Sequence, residues 1–232
     1  MMMMSILFPA AFLGLLVALA VVFFQRRESL DLSPRGLLRG YLYLASLAGI
    51  VTLAIGLGSL ANYGIAAAFG TEVVYGGVPM ARPAIAPACP PGDPRCAGPT
   101  ELQLEQQRRS QKEQSSRRHA EDLLRGITFT AFGALFWAAH WAARRRIVGA
   151  SEHGTGLRRG YLMLGAVLFG LVTIVMLPTG LYQALAAALL PANEFSYRQP
   201  ADSLGGGIAA LPIWLVYLRE LVSDFRTTPV AA

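Results

Sequence analysis

Residues 156–190 read GLRRGYLMLGAVLFGLVTIVMLPTGLYQALAAALL. Two arginines, Arg158 and Arg159, precede an apolar run from Tyr161 to Leu190 that carries no Asp, Glu, Lys or Arg. Roughly 20 apolar residues cross the hydrocarbon core of a bilayer as a helix. The run exceeds that length, so it reads as a transmembrane helix entered beside a basic flank.

Outward from it, four further runs have the same character. Ser5–Phe24 ends in Gln25-Arg26-Arg27, and a second run follows Arg35 and Arg39, from Tyr41 to about Phe69. Ile127–Ala143 is closed by Arg144, Arg145 and Arg146. The fifth, Leu204–Leu218, is closed by Arg219 and carries Gly205-Gly206-Gly207 and Pro212. The expected fold is all-α, a polytopic membrane protein of about five transmembrane helices. Composition agrees: 54% of the 232 residues are hydrophobic and 15% charged, whereas soluble domains carry about 25% charged residues.

The net charge of +6 is accounted for by arginines at the ends of spans, which set orientation, so nucleic acid is not an expected partner. The first run is read as an uncleaved anchor, because no basic residue precedes it and two arginines follow. A cleaved signal peptide is the competing reading. With the N-terminus outside, segments 25–40, 144–160 and 219–232 lie in the cytoplasm, together with the C-terminus. The expected location is the plasma (inner) membrane.

The segment 70–125 then lies outside. Its first part is rich in Pro and Gly and holds both cysteines, Cys89 and Cys96. An extracytoplasmic loop permits a disulfide between them. Two cysteines without a nearby histidine make a poor zinc site. From Thr100 to Arg125 the pattern is helical, with Thr100 and Gln103 as a capping box. Opposite charges recur four residues apart: Glu105 with Arg109, Arg109 with Glu113, Glu113 with Arg117, and Arg118 with Asp122. Each pair adds about 0.2–0.5 kcal/mol to an isolated helix. Five acidic and six basic residues nearly cancel between residues 100 and 125, and apolar residues are sparse. A helix polar all round bridges solvent; it is read as an extension of the third span, with Glu105, Arg109, Glu113 and Arg117 forming a face for a peripheral partner.

The chain also repeats itself. Residues 36–44, GLLRGYLYL, match residues 156–164, GLRRGYLML, at seven of nine positions. Beyond them the offset lengthens by one, pairing Ala45, Gly49, Val51 and Thr52 with Ala166, Gly170, Val172 and Thr173. One inserted residue near Gly165 implies a local bulge or altered packing there. Trp137 and His140 before Arg144 echo Trp214 and Tyr217 before Arg219. The organisation is therefore an N-terminal anchor and linker (1–34), a first helical hairpin with a long insertion (35–150, insertion 70–125) and a second hairpin with a tail (151–232). The hairpins are related as a parallel repeat. Ala45 with Gly49 and Ala166 with Gly170 are small-xxx-small pairs that favour close packing of the second and fourth spans.

Paired hairpins that open with Arg-Gly-Tyr-Leu and close with Trp-x-x-His-Trp beside arginines resemble a family of uncharacterised four-helix membrane domains of bacteria and archaea. The resemblance covers about residues 36–222. The second hairpin departs from it, having Tyr217 and Leu218 where the first has His140 and Trp141. The family has no assigned activity, so the resemblance implies a fold and no site residues.

Catalytic chemistry finds no support. No Asp, Glu, Lys or Arg lies in the middle of any span, which argues against a proton-coupled transporter or pump. Asn62 and Gln183 are read as interhelical hydrogen-bond formers. His119 and His153 read as solvated. His140, among Phe136, Trp137 and Trp141, is the one histidine near a membrane interior. It is a candidate axial ligand for haem or chlorin, against the plainer reading of an interfacial aromatic belt. The expectation is a non-catalytic accessory or scaffold subunit of a larger membrane complex, surrounded by lipid and other membrane or peripheral subunits, with no cofactor. The alternatives are a haem- or chlorin-binding electron-transfer subunit through His140 and a small-solute transporter.

Overall fold

A computed structural model describes residues 33–75, 101–148, 156–189 and 201–227. These residues form five helices: α1 (Pro34–Phe69), a short α2 (Thr71–Tyr75), α3 (Glu101–Val148), α4 (Gly156–Leu189) and α5 (Ala201–Thr227). The expected anchor at Ser5–Phe24 lies outside the described residues, as do Cys89, Cys96, Thr100 and His153.

Three helices are long and apolar enough to cross a membrane: α1, α4 over Gly156–Ala186, and α5 over Ser203–Arg226. By length and composition this is a membrane protein. The third expected span, Ile127–Ala143, is the C-terminal part of α3. That helix does not reach the same apolar content, because Thr128, Thr130, Gly133 and His140 dilute its hydrophobic stretch.

Local chemistry sets the helix ends. Ser33 caps α1, its Oγ accepting from the Gly36 amide at 3.2 Å, and Pro34 takes the first helical position, where its missing N–H costs nothing. At the other end Gly70 adopts φ +96° and donates its amide to the Ala66 carbonyl at 3.0 Å. This left-handed closure favours glycine and turns the chain directly into α2. There Val74, 2% exposed, packs with Ala66, Ile65 and Tyr75. α3 begins at Glu101, directly after the expected cap, and runs unbroken for 48 residues. α5 continues past Arg219, the expected end of the fifth span, to Thr227.

α4 is one α-helix across Gly165, so of the two outcomes expected from the one-residue slip a bulge does not form. The packing at this position is that of a missing side chain: Gly165 receives the ring of Tyr217, which would overlap any Cβ placed there.

The described residues fall into two compact units, each taking a part of all four long helices. One holds the described residues within 1–54, 130–171 and 210–232, the other those within 55–129 and 172–209. In the first unit α1 and α3 are antiparallel and in backbone contact. A Cβ on Gly133 would overlap the Leu53 amide nitrogen and stand 2.8 Å from Leu53 Cα, and one on Gly49 would stand 2.9 Å from the Trp137 nitrogen. In the second unit α5 rests on α1 and α4 through its three glycines. Gly205 faces Gly58 and Asn62, Gly206 the Met176 sulfur, and Gly207 the Leu177 backbone. Small residues permit such approach where no hydrophobic force drives helices together.

Candidate functional site

In the first unit, arginines and aromatic rings gather at the start of α1 and α4 and at the end of α3 and α5. Tyr161 touches Tyr43 (centroids 5.0 Å apart) and Tyr217 (5.5 Å). The Tyr217 hydroxyl donates to the Tyr161 hydroxyl at 2.6 Å. Arg144 places its guanidinium 4.8 Å from the Tyr43 ring centre and 5.6 Å from that of Tyr161. A cation over an aromatic face is attracted by the ring quadrupole, more strongly when desolvated.

Beside these rings lies an ion network that the sequence reading missed. The Asp224 carboxylate, 1% exposed, accepts from Arg159 Nε at 3.0 Å and lies 3.7 Å from Arg158 Nε. Arg158 also reaches Glu220 at 3.4 Å. Arg159 sits over Phe225 at 5.4 Å. A carboxylate this deeply buried persists only when paired, and two arginines pair it. The pattern was present in the sequence as Glu220 and Asp224, one turn apart on the extension of α5. Arginines beside a span mark orientation in the sequence, and Arg158 and Arg159 have a second role, tying the start of α4 to the end of α5.

His140 is half-buried between α3 and α1. Its Nδ1 bonds the Phe136 carbonyl at 2.8 Å, and since a carbonyl only accepts, Nδ1 carries the proton. In the neutral ring Nε2 then accepts from the Tyr41 hydroxyl, 3.4 Å away. Both nitrogens are engaged, so ligation of a metal through Nε2 requires Tyr41 to withdraw. Among the described residues no group of three His, Cys, Asp or Glu side chains converges as a metal site.

Ala45 and Ala166 are both buried, at 8% exposure. Around the glycines one turn on, the nearest atoms belong to tryptophans: Gly49 meets the backbone and Cβ of Trp137, and Gly170 the indole of Trp214.

In the second unit His119 is not simply solvated. Its ring stacks on Tyr63 at 4.2 Å and 17°, meets the edge of Tyr75 at 6.4 Å, and its Nδ1 is buried without a hydrogen-bond partner. Tyr75 donates to Asp122 at 2.8 Å, which diverts Asp122 from the expected pairing with Arg118. The oxygens Asn62 Oδ1 and Gln183 Oε1 are buried and accept no hydrogen bond, so the interhelical bonds expected of them do not form through these atoms. A Cβ on Gly205 would overlap Asn62 Oδ1, so only glycine fits beside it.

Along α3, Glu105, Arg109, Glu113 and Arg117 are all exposed. One of the expected pairs closes, Arg109 with Glu105 at 4.0 Å, on side chains 80% and 66% exposed. Exposed pairs contribute little, so the charges keep this stretch soluble more than they hold it together.

Residues 104–216 match the family model of a domain of unknown function, DUF5671. The match covers 113 residues (216 − 104 + 1) of 232, just under half of the chain. The DUF5671 region thus holds most of α3, all of α4 and α5 as far as Val216. Trp137, His140, Arg144, Arg158, Arg159, Tyr161 and Trp214 lie inside it, while α1 and the acidic end of α5 lie outside. It agrees with the uncharacterised membrane-domain family that the hairpin motifs resemble in carrying no assigned activity. No curated protein and no solved structure matches the chain.

Proposed function

We propose that the chain is a multi-pass protein of the plasma membrane that acts as a non-catalytic accessory or scaffold subunit, holding the polar part of α3 out of the bilayer for a peripheral protein. The observation that carries this reading is the continuity of α3. At about 1.5 Å per residue its 48 residues span about 72 Å, more than twice the roughly 30 Å hydrocarbon core. From Glu105 to Arg117 it has no apolar residue and most of its side chains are exposed, so neither lipid nor a core accounts for that stretch. An isolated polar helix is marginal in water; covering it with a partner supplies the missing stabilisation.

The finer architecture belongs to the same proposal: five spans including Ser5–Phe24 and Ile127–Ala143, the N-terminus outside, the C-terminus in the cytoplasm, and Cys89 bridged to Cys96 outside. Two hairpins related by a parallel repeat are supported by equivalent contacts. The hydrogen bond of Tyr41 with His140 is matched by that of Tyr161 with Tyr217, and a tryptophan stands nearest the glycine in each hairpin, through its backbone at Gly49 and its indole at Gly170.

The experiment is deletion of residues 101–120 from the full chain, followed by native extraction in mild detergent. Membrane insertion should persist while an extracytoplasmic protein is lost from the complex. If wild-type and deleted chains migrate alike and retain the same components, the scaffold role is wrong.

A further inference from the structure

We propose that the arginine-bearing end of α3 binds an anionic glycerophospholipid, with Arg145 and Arg146 on its phosphodiester and Trp137 and Trp141 along its glycerol and upper acyl portion. The proposal needs the chain to be a membrane protein and is independent of the scaffold role.

Trp137, Trp141 and Arg145 follow one another at intervals of four residues, so they share one face of the helix. The indoles stack 6.1 Å apart at 30°, and the Arg145 guanidinium lies 3.8 Å from the Trp141 ring centre. From Trp137 to Arg145 the helix rises about 12 Å, the depth from upper acyl chain to phosphate. Tryptophan favours that boundary. Stacking fixes the plane of the guanidinium while leaving its N–H edge free, and that edge matches two phosphate oxygens. Arg145 and Arg146 are exposed.

Charge favours an anion here. In the first unit the described residues include nine arginines (Arg35, Arg39, Arg144, Arg145, Arg146, Arg158, Arg159, Arg219 and Arg226) and two carboxylates, Glu220 and Asp224. Both carboxylates are held by Arg158 and Arg159. Arg145 and Arg146 therefore have no carboxylate among the described residues. A helix C-terminus is complemented by one or two cations, and three consecutive arginines exceed that need. The adjoining indole column offers apolar surface that a lipid covers and a free phosphate ion does not.

The test uses the full chain in a zwitterionic detergent, with tryptophan fluorescence followed as phosphatidylglycerol or phosphatidylcholine is titrated in. Phosphatidylglycerol should bind more tightly than phosphatidylcholine. The double variant Arg145→Gln/Arg146→Gln should weaken phosphatidylglycerol binding about twenty-fivefold, about fivefold for each arginine. The variant Arg108→Gln/Lys112→Gln removes the same charge from exposed positions of α3 far from the tryptophans, and should bind as wild type. Equal affinity for the two lipids, unchanged binding by the Arg145/Arg146 variant, or an equal loss in the Arg108/Lys112 variant would each overturn the proposal. Inorganic phosphate should not compete; if it displaces the lipid, a phosphate site and not a lipid site is present.

Discussion

Replacing Gly133 by alanine tests how α1 and α3 are held in the first unit. The added Cβ would overlap the Leu53 amide nitrogen, stand 2.8 Å from Leu53 Cα and 3.0 Å from the Gly49 carbonyl oxygen. All three atoms are backbone, so no side chain can rotate away. Carbon atoms rest at about 3.5–4.0 Å, so the helices must part by roughly 0.8 Å at this crossing, which forfeits a quarter to a half of each neighbouring dispersion contact. Overpacking of this kind costs about 1–3 kcal/mol. Contact with backbone alone places this site in the upper part of that range, about 2–3 kcal/mol, and alanine returns about 1 kcal/mol through helix propensity, leaving a net loss of about 1–2 kcal/mol. Gly40 and Gly64, also in α1, have nothing within 4 Å of an added Cβ, so alanine there should be neutral or stabilising by up to about 1 kcal/mol. The assay is the apparent melting temperature of the full chain in one detergent. Gly133→Ala should fall about 3–6 °C below wild type, with Gly40→Ala and Gly64→Ala at or above it. If Gly133→Ala melts with wild type, or the two control variants fall as far, the backbone contact between α1 and α3 is not what the geometry says.

Three other outcomes follow from the same contacts. Asp224→Asn should destabilise the protein by about 3 kcal/mol, since it leaves two arginines beside a neutral group, whereas Arg226→Gln at an exposed position should melt as wild type. Purified protein should show no Soret band, because both ring nitrogens of His140 are occupied; a band that vanishes in His140→Ala would refute this. Single-cysteine labelling should find Ala150 and Thr228 protected from an impermeant maleimide and Glu194 labelled from outside, and the reverse pattern would invert the proposed topology.

The positions of α1 and α4 were legible because an arginine pair, a Gly-Tyr-Leu start and an uninterrupted apolar run coincide at each. The unbroken passage of α3 from polar to apolar was legible as well, because no Pro or turn-forming cluster intervenes between Glu101 and Val148. The true length of α5 was not. Arg219 looks like the end of an apolar run, but helix continuity depends on backbone propensity and on what Glu220 and Asp224 find across from them, which lies 60 or more residues away in sequence. The direction of the glycines was hidden for a similar reason. A small-xxx-small pair says that something comes close, and only packing decides that the neighbour is Trp137 or Trp214. His119 was misjudged because its surroundings, Tyr63 and Tyr75, come from other helices while its own neighbours in sequence are charged.

Nothing interrupts α3. It contains no proline and no residue with positive φ, so it has none of the usual points at which a helix bends sharply. Within the first unit, from Thr130 onward, Trp137, His140 and Arg144 therefore ride on one stiff segment, and a rotation of that segment about its axis moves the backbone contact at Gly49, the Tyr41 hydrogen bond and the cation on Tyr43 together.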